Sequence, residues 1–230
     1  MTQTIGIVAC SAEGAALCYR TICAEGEAGA GHGHPPVVLH GHSLAAYEDF
    51  LTGHDWGGVA GLMLDSAARL ARAGADFLIC PDNTIHQALP GVLPRSPLPW
   101  LHIAQVVADA AQARGFRRLG ITGTRWLVEG PVYTDVLEAR RMDAVRPDAP
   151  ARDTMNRIIM TELVAGVVRP ESVAAFQEVI AGLAAVRCDA VVLGCTEIPL
   201  IIDDSNSPLP TLDSTRLLAR AALARARGAA

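Results

Sequence analysis

The feature that most constrains this chain is that it repeats itself. The segment SPLPWLH at 96–102 returns as SPLPTLD at 207–213, 111 residues later. The segment ADFLICPD at 75–82 is answered by CDAVVLGC at 188–195, which sets Asp76 on Asp189 at an offset of 113. LGITGT at 119–124 echoes IGIVAC at 5–10, at an offset of 114. Three matches in one order at nearly constant spacing point to an ancestral duplication. A chain of 230 residues built this way is expected to fold as two like halves.

Each half carries short apolar runs rich in branched residues: 5–10, 36–41 and 76–81 in the first, 119–123 and 190–195 in the second. These read as buried strands. Helical patterning fills 60–73, 103–114, 131–141, 154–167, 171–186 and 214–227, while RPDAPARD at 146–153 reads as a loop. Strand alternating with helix predicts an α/β fold of two similar parallel-sheet subdomains, related by pseudo-twofold symmetry, with the active site in the cleft between them. The expected division is 1–102 plus 208–230 for the first lobe and 103–207 for the second. In the repeat register Asp82 and Cys195 occupy the same position, each directly after an apolar strand.

Composition removes several classes of function. All 19 basic residues are Arg and the chain has no Lys. Pyridoxal phosphate enzymes need a lysine for the internal aldimine, and phosphate-binding P-loops need one in their motif, so both are excluded by residue type. A net charge of −5 argues against nucleic acid, and the three Trp residues are too scattered for a base-stacking platform. No apolar run approaches the roughly 20 residues that span a bilayer, and MTQTIGIVAC lacks the basic flank of a signal peptide. A protein of the cytoplasm without a membrane partner is expected, and a homodimer is the default for a soluble enzyme.

The six cysteines (10, 18, 23, 80, 188 and 195) contain no CxxC pair, so most read as small buried apolar residues. The HGH segments at 32–34 and 40–42 invite a metal reading. The intervening PPVVL, if extended, separates them by roughly 20 Å, so no metal site is expected. His42 and His86 are alternatives for meeting an acidic group on a ligand, as are Arg125, Arg157 and Arg169.

Two acid/base groups facing one bound carbon from opposite sides are what stereoinversion needs: one removes a proton and the other delivers one. A thiolate serves if its surroundings lower its pKa from about 8.5. Asp82 needs the reverse, desolvation or a neighbouring anion, to hold a proton near pH 7. The bland reading of Asp82 is a helix N-cap, which one carboxylate can combine with catalysis.

At these residues the chain resembles the aspartate/glutamate racemases that work without pyridoxal phosphate. VVLGCTEIPLII at 191–202 is similar to their second active-site motif. CPDNTIH at 80–86 resembles their first, with Asp82 where a catalytic Cys usually stands before Asn-Thr. LGITGTRWLVEGPVY at 119–133, RIIMTELVAGV at 157–167 and DSTRLLARAAL at 213–223 look like further family segments. The resemblance implies proton transfer at the carbon next to a carboxylate, with neither cofactor nor metal. It makes Cys195 one acid/base and Asp82 the other. It implies that Asn83, Thr84, Thr124 and Thr196 hold the substrate's α-carboxylate and amino group. Ser11 and Glu197 join them as substrate-binding candidates, Glu197 equally as an orienting or capping residue. Two departures stand out: the opening IGIVACSAEG lacks the family's Gly-Gly-Met, and LHGHSLAAY at 39–47 lacks the Arg that meets a distal carboxylate.

The expected function is a cofactor-independent racemase or epimerase of a small amino acid, aspartate- or glutamate-like, or a related carboxylic acid, by Cys/Asp proton transfer at the α-carbon. The alternatives are a decarboxylase or cis-trans isomerase of a dicarboxylic acid that uses Cys195 alone, and a two-lobed binding protein without turnover.

Overall fold

The computed structural model describes residues 2–26 and 33–228. By the density of its contacts the chain divides into two compact units, Met1–Val106 with Thr215–Ala230, and Val107–Ser214.

In the first unit, β1 (Ile5–Ala9) leads through α1 (Ala12–Ala24) to β2 (Val37–Gly41). Then come α2 (Leu44–Thr52), α3 (Trp56–Arg72) and β3 (Phe77–Ile79). A 3₁₀ turn at Thr84–Ala88 and the short α4 (Leu89–Val92) precede β4 (Trp100–Leu101) and α5 (Ile103–Ala113), inside which the division falls. In the second unit, β5 (Arg118–Thr122) is followed by α6 (Arg125–Glu129), α7 (Val132–Ala139) and β6 (Asp143–Val145). After α8 (Ala149–Thr161) and α9 (Pro170–Ala185) come β7 (Ala190–Leu193) and β8 (Thr211–Asp213). The closing helix α10 (Ser214–Ala226) returns to the first unit.

Both sheets are parallel, four-stranded and identically ordered: β2-β1-β3-β4 and β6-β5-β7-β8. Ile7 pairs with Ile79 in the first and Ile121 with Val192 in the second. The expected two-fold repetition of an α/β unit is therefore what the chain forms.

The repeat is carried by polar braces as well as by strands. Asp76 Oδ2 accepts from Thr4 N at 2.6 Å, and its counterpart Asp189 Oδ2 accepts from Arg117 N and Arg118 N at 2.7 and 2.9 Å. Ser96 Oγ donates to Leu98 O and accepts from Leu98 N at 2.7 and 3.3 Å. Ser207 and Leu209 make the same two bonds at the same distances. The last proline of each SPLP segment then accepts from the neighbouring strand, Leu78 N to Pro99 O and Val191 N to Pro210 O. The duplicated motif is thus a turn whose serine closes on itself to deliver the edge strand.

Ile5, Ile7, Ala9, Phe77 and Ile79 bury one face of the first sheet with Cys18 and Ile22 of α1 and Leu218, Ala222 and Leu223 of α10. Such alternation is what a sheet covered by helices demands. In the second unit β7 is buried throughout, and a Cβ on Gly120 would come within 2.6 Å of Leu183 of α9.

Three strands and two substantial helices lie outside the sequence expectation. β4, β6 and β8 have only two or three residues each, too few for a periodic signal. Helices α1 and α2 occupy segments left unassigned. The segment 146–153 is helical from Ala149, because Asp148 caps α8 by accepting from Ala151 N and Pro150 suits a first turn. Helix α8 also stops at Thr161, before the 167 expected, and the chain turns at Gly166 with φ +70°. Among the described residues no helix is long and apolar enough to cross a membrane.

Candidate functional site

The carboxyl ends of the strands are where ligands bind in open parallel sheets, and each unit gathers its candidate residues there. In the first unit β3 ends at Ile79, and the chain passes through Cys80 and Pro81 to Asp82. Asp82 is half-buried, while Asn83 and Thr84 are buried. Asp82 Oδ1 accepts from Thr84 N at 3.1 Å and from Ile85 N at 3.4 Å, so the carboxylate does cap the 3₁₀ turn that follows. Ser11 stands at the end of the neighbouring strand β1, where its Oγ caps α1 by accepting from Gly14 N at 3.2 Å.

His86 holds this loop from beneath. It is 1% exposed; one ring nitrogen, Nδ1, donates to Asp82 O at 2.8 Å, and the other accepts from Ile103 N at 3.2 Å. One bond requires Nδ1–H and the other a bare Nε2, which is the neutral tautomer. Burial, aided by the nearby His102, pushes the His86 pKa down to about 3. His86 is therefore a neutral strut between the Asp82 loop and α5, with both ring nitrogens engaged by the protein rather than meeting an acidic group on a ligand. His102 Nδ1 accepts from Ala104 N at the start of that helix. Cys80 lies against the same carbonyl, with Sγ donating to Asp82 O at 3.8 Å, and burial raises its thiol well above the ordinary range.

In the second unit β7 ends at Leu193, and Gly194 turns the chain into Cys195. Gly194 N donates to Thr122 O at 3.0 Å, and a Cβ on Gly194 would lie 2.5 Å from that same oxygen. Only glycine lets β7 and β5 run this close at their ends. Cys195 is half-buried, and Thr196 and Glu197 are each 5% exposed. Cys195 Sγ donates to Glu197 Oε2 at 2.9 Å, and Thr196 Oγ1 donates to the same oxygen at 2.8 Å. Glu197 thus gathers a thiol and a hydroxyl on one carboxylate oxygen. Thr124 stands at the end of β5 and begins α6, without a side-chain cap bond to that helix.

The two sheets place Asp82 and Cys195 at equivalent positions, each three residues beyond the paired strand residue, Ile79 or Val192. Asp82, Asn83 and Thr84 come together with Ser11 on adjacent strand ends in the first unit. Cys195, Thr196 and Glu197 come together with Thr124 in the second. Sequence reasoning missed the strut made by His86, four residues past Asp82, because a helical-turn spacing between a loop carbonyl and an imidazole carries no distinctive pattern.

The other candidates have protein partners. His42 Nε2 lies 3.0 Å from Asp65 Oδ2, His40 Nδ1 meets Ser66 Oγ at 3.0 Å, and His34 Nδ1 donates to Pro35 O. His32 lies outside the described residues, and among those described no cluster of His, Cys, Asp and Glu could hold a metal. Arg125 pairs with Asp153, and Arg157 with Glu162 at 2.9 Å. Arg169 stands 3.9 Å from Glu162.

Comparison with known proteins agrees with this architecture. The broad-specificity amino-acid racemase RacX of Bacillus subtilis (strain 168) is 20% identical over 190 residues, 81% of this chain and 80% of that protein. A crystal structure from Yersinia pestis, assigned to the Asp/Glu racemases, superposes with a TM-score of 0.89 at 29% identity, covering 98% and 99% of the two chains. An aspartate racemase homologue from Pyrococcus horikoshii OT3 shares the fold, with a TM-score of 0.84 at 24% identity over 98% and 99%. The family model for Asp/Glu/hydantoin racemases matches residues 7–222. The chain belongs to the Asp/Glu/hydantoin racemase family, a family of isomerases.

Proposed function

We propose that this protein is an amino-acid racemase or epimerase that works without a cofactor, transferring protons at the α-carbon through Cys195 and Asp82. The observation that carries the reading is the short contact between the Cys195 thiol and the Glu197 carboxylate. A thiol proton already donated to a carboxylate 2.9 Å away has an acceptor in place. Transfer of that proton to Glu197 leaves a Cys195 thiolate. The thiolate removes the α-proton of one enantiomer, and the electron pair left on carbon delocalises into the substrate carboxylate. Protonated Asp82 then delivers its proton to the opposite face, so the product leaves behind a Cys195 thiol and an Asp82 carboxylate. In the reverse direction Asp82 is the base and the Cys195 thiol the acid.

The bonds to Asp82 suit the direction in which it is the base. Its Oδ1 is tied to two backbone N–H groups, which steady the ionised form. Hydroxyls and N–H groups of Ser11, Asn83, Thr84, Thr124 and Thr196 are proposed to hold the substrate's carboxylate and amino group. The family membership supports the reaction class, and the absence of Lys from the chain accords with chemistry that needs no aldimine. The absence of Arg from 39–47 favours amino acids without a second carboxylate.

The test is proton NMR in D₂O with both enantiomers of the common amino acids and no added cofactor. Loss of an α-proton signal with appearance of the other enantiomer supports the reading. Early product should carry deuterium while recovered substrate remains protiated, because a different group reprotonates each face. Exchange without inversion removes Asp82 from the scheme. Consumption of a malonate or maleate, with every amino acid untouched, replaces the racemase with decarboxylation or isomerisation.

A further inference from the structure

The duplicated halves differ where Cys195 is attached. Leu193 closes β7, and the peptide unit joining it to Gly194 is the last one before the thiol-bearing residue. Both polar atoms of that unit are engaged. Leu193 O accepts from the Ser214 hydroxyl at 2.8 Å, and Gly194 N donates to Thr122 O at 3.0 Å. A peptide unit is planar, so bonds at its two ends fix the orientation of the plane as well as its place. One peptide earlier, the Thr122 hydroxyl donates to Val192 O at 2.6 Å. Ser214, Thr122, Val192 and Leu193 are all buried, so solvent cannot stand in for a lost donor.

The equivalent place in the first unit is built without either hydroxyl. Strand pairing sets Ile7 and Ile79 where Ile121 and Val192 stand, and Leu101 where Leu212 stands. Counting on from those, Val8 takes the place of Thr122, Ile103 that of Ser214, and Cys80–Pro81 that of Leu193–Gly194. Val8 and Ile103 have no hydroxyl, and Pro81 has no N–H. The shared architecture does not need these bonds, since the first sheet forms in the same strand order without them. Gly194 explains why the second unit has them. Glycine is the loosest joint a chain can have, and the closeness of Thr122 O admits nothing larger there. The freedom that comes with it has to be removed by bonds.

We propose that Ser214 is a positioning residue for Cys195: its hydroxyl, working against the Thr122 carbonyl, pins the Leu193–Gly194 peptide and so sets where the thiol stands. The proposal rests on the acid/base role given to Cys195 above. Ser214→Ala leaves a buried carbonyl unpaired and lets the glycine turn. A misplacement of about 1 Å in a reacting group costs roughly 10²-fold in rate.

Two measurements test this. Leu-Gly occurs in the sequence only at 119–120 and 193–194. Carbonyl carbon-13 leucine combined with nitrogen-15 glycine therefore selects the amides of Gly120 and Gly194, and a Leu119→Ile sample tells them apart. In Ser214→Ala the Gly194 amide should exchange with D₂O roughly 10-fold faster, the factor that one lost hydrogen bond corresponds to. Gly120, paired on both sides within β5, should keep its rate. The second measurement is turnover of the two α-deuterated enantiomers of the amino acid that inverts fastest in the D₂O panel. Slowing only the Cys195 transfer raises the isotope effect on kcat/KM for the enantiomer that Cys195 deprotonates. It lowers the effect toward unity for the other, whose inversion then waits on reprotonation by Cys195. Turnover should fall about 10²-fold with this opposite movement. Thr122→Val is the control: it removes a buried hydroxyl bond one peptide earlier and should leave both isotope effects as in the wild type. An unchanged Gly194 amide in Ser214→Ala overturns the proposal, because the peptide is then held without the hydroxyl. A faster amide with unmoved isotope effects makes the bond one of stability alone, and overturns it equally. The same opposite movement in Thr122→Val assigns the effect to a general loosening of β7, and overturns it too. The amide exchange needs no turnover: a wild-type protein that inverts no amino acid counts against the racemase reading, while the Gly194 rate still decides whether Ser214 pins the peptide.

Discussion

The Cys195 thiol donates to the Glu197 carboxylate at 2.9 Å, and in the proposed reaction the partition of that proton decides turnover. Replacing Glu197 with Gln keeps the shape and the Thr196 contact but removes the acceptor. Turnover is expected to fall by about 10²–10⁴-fold, the range typical of a lost proton-transfer partner, with the acid limb of the pH profile displaced upward in the direction where Cys195 is the base. An unchanged profile in Glu197→Gln would mean that Cys195 ionises without it. Cys195→Ala should abolish α-proton exchange in both directions. Asp82→Asn is more informative because it is asymmetric: the amide can neither take nor give the proton, yet it can still accept from Thr84 N. Inversion should disappear, while Cys195 continues to exchange the α-proton of one enantiomer with solvent. Equal loss of exchange for both enantiomers would show that Asp82 acts through structure instead. The candidate residues were legible from sequence because the repeat register sets Asp82 and Cys195 at the same position in the two halves, which the strand pairing repeats. What sits behind them was not. His86 is placed by burial and by the direction of its two ring nitrogens, and neither property leaves a periodic mark.

The elements divide along the same line. Strands β1, β3, β5 and β7 are buried and rich in branched residues, so their patterning announced them. Edge strands β4 and β8 have two and three residues, and only the SPLP turns that precede them repeat visibly. The helices α1 and α2 escaped because Gly and Ser interrupt their flanks and their apolar faces are narrow. At this scale the sharpest sequence statement is a glycine. Gly194 joins β7 to Cys195, and an alanine there would set its Cβ 2.5 Å from the Thr122 carbonyl oxygen. Backbone cannot give way as a side-chain tip can, so the two strand ends must part. Gly194→Ala is expected to cost about 1–3 kcal/mol or more in a urea melt and to lower turnover beyond what that loss explains, since Cys195 moves with the strand. Gly120→Ala offers the contrast. Its Cβ would meet the Cδ1 of Leu183, 2.6 Å away, a side chain that can change rotamer. Its cost should be smaller and its turnover normal.

For the molecule as a whole, the buried imidazole of His86 ties stability to pH. In the unfolded chain its pKa is near the ordinary 6.5; in the fold it is pushed down to about 3. The unfolded state therefore binds a proton that the folded state refuses. Stability from this residue is fully present above about pH 6.5 and drains away as the pH falls toward 3. The slope is about 1.4 kcal/mol per pH unit, so roughly 2 kcal/mol is lost between pH 6.5 and 5. Carboxylates held low in the fold act in a more acidic window. Glu162, steadied by Ser172 and then Arg157, begins to matter only once the pH enters the ordinary carboxylate range. The variant His86→Gln separates the two effects. Its amide can donate to Asp82 O and accept from Ile103 N as the neutral ring does, but it does not titrate. Urea melts from pH 7.5 to 4.5 should show a steep loss in the wild type and a shallow one in His86→Gln. Trp56 and Trp100 lie in the first unit with His86, and Trp126 lies in the second. Fluorescence after Trp126→Phe therefore follows the unit in which the proton is taken up. Parallel slopes in wild type and His86→Gln would mean that His86 titrates normally in the fold, and the strut beneath Asp82 would then be an ion pair or a mobile ring rather than a fixed neutral tautomer.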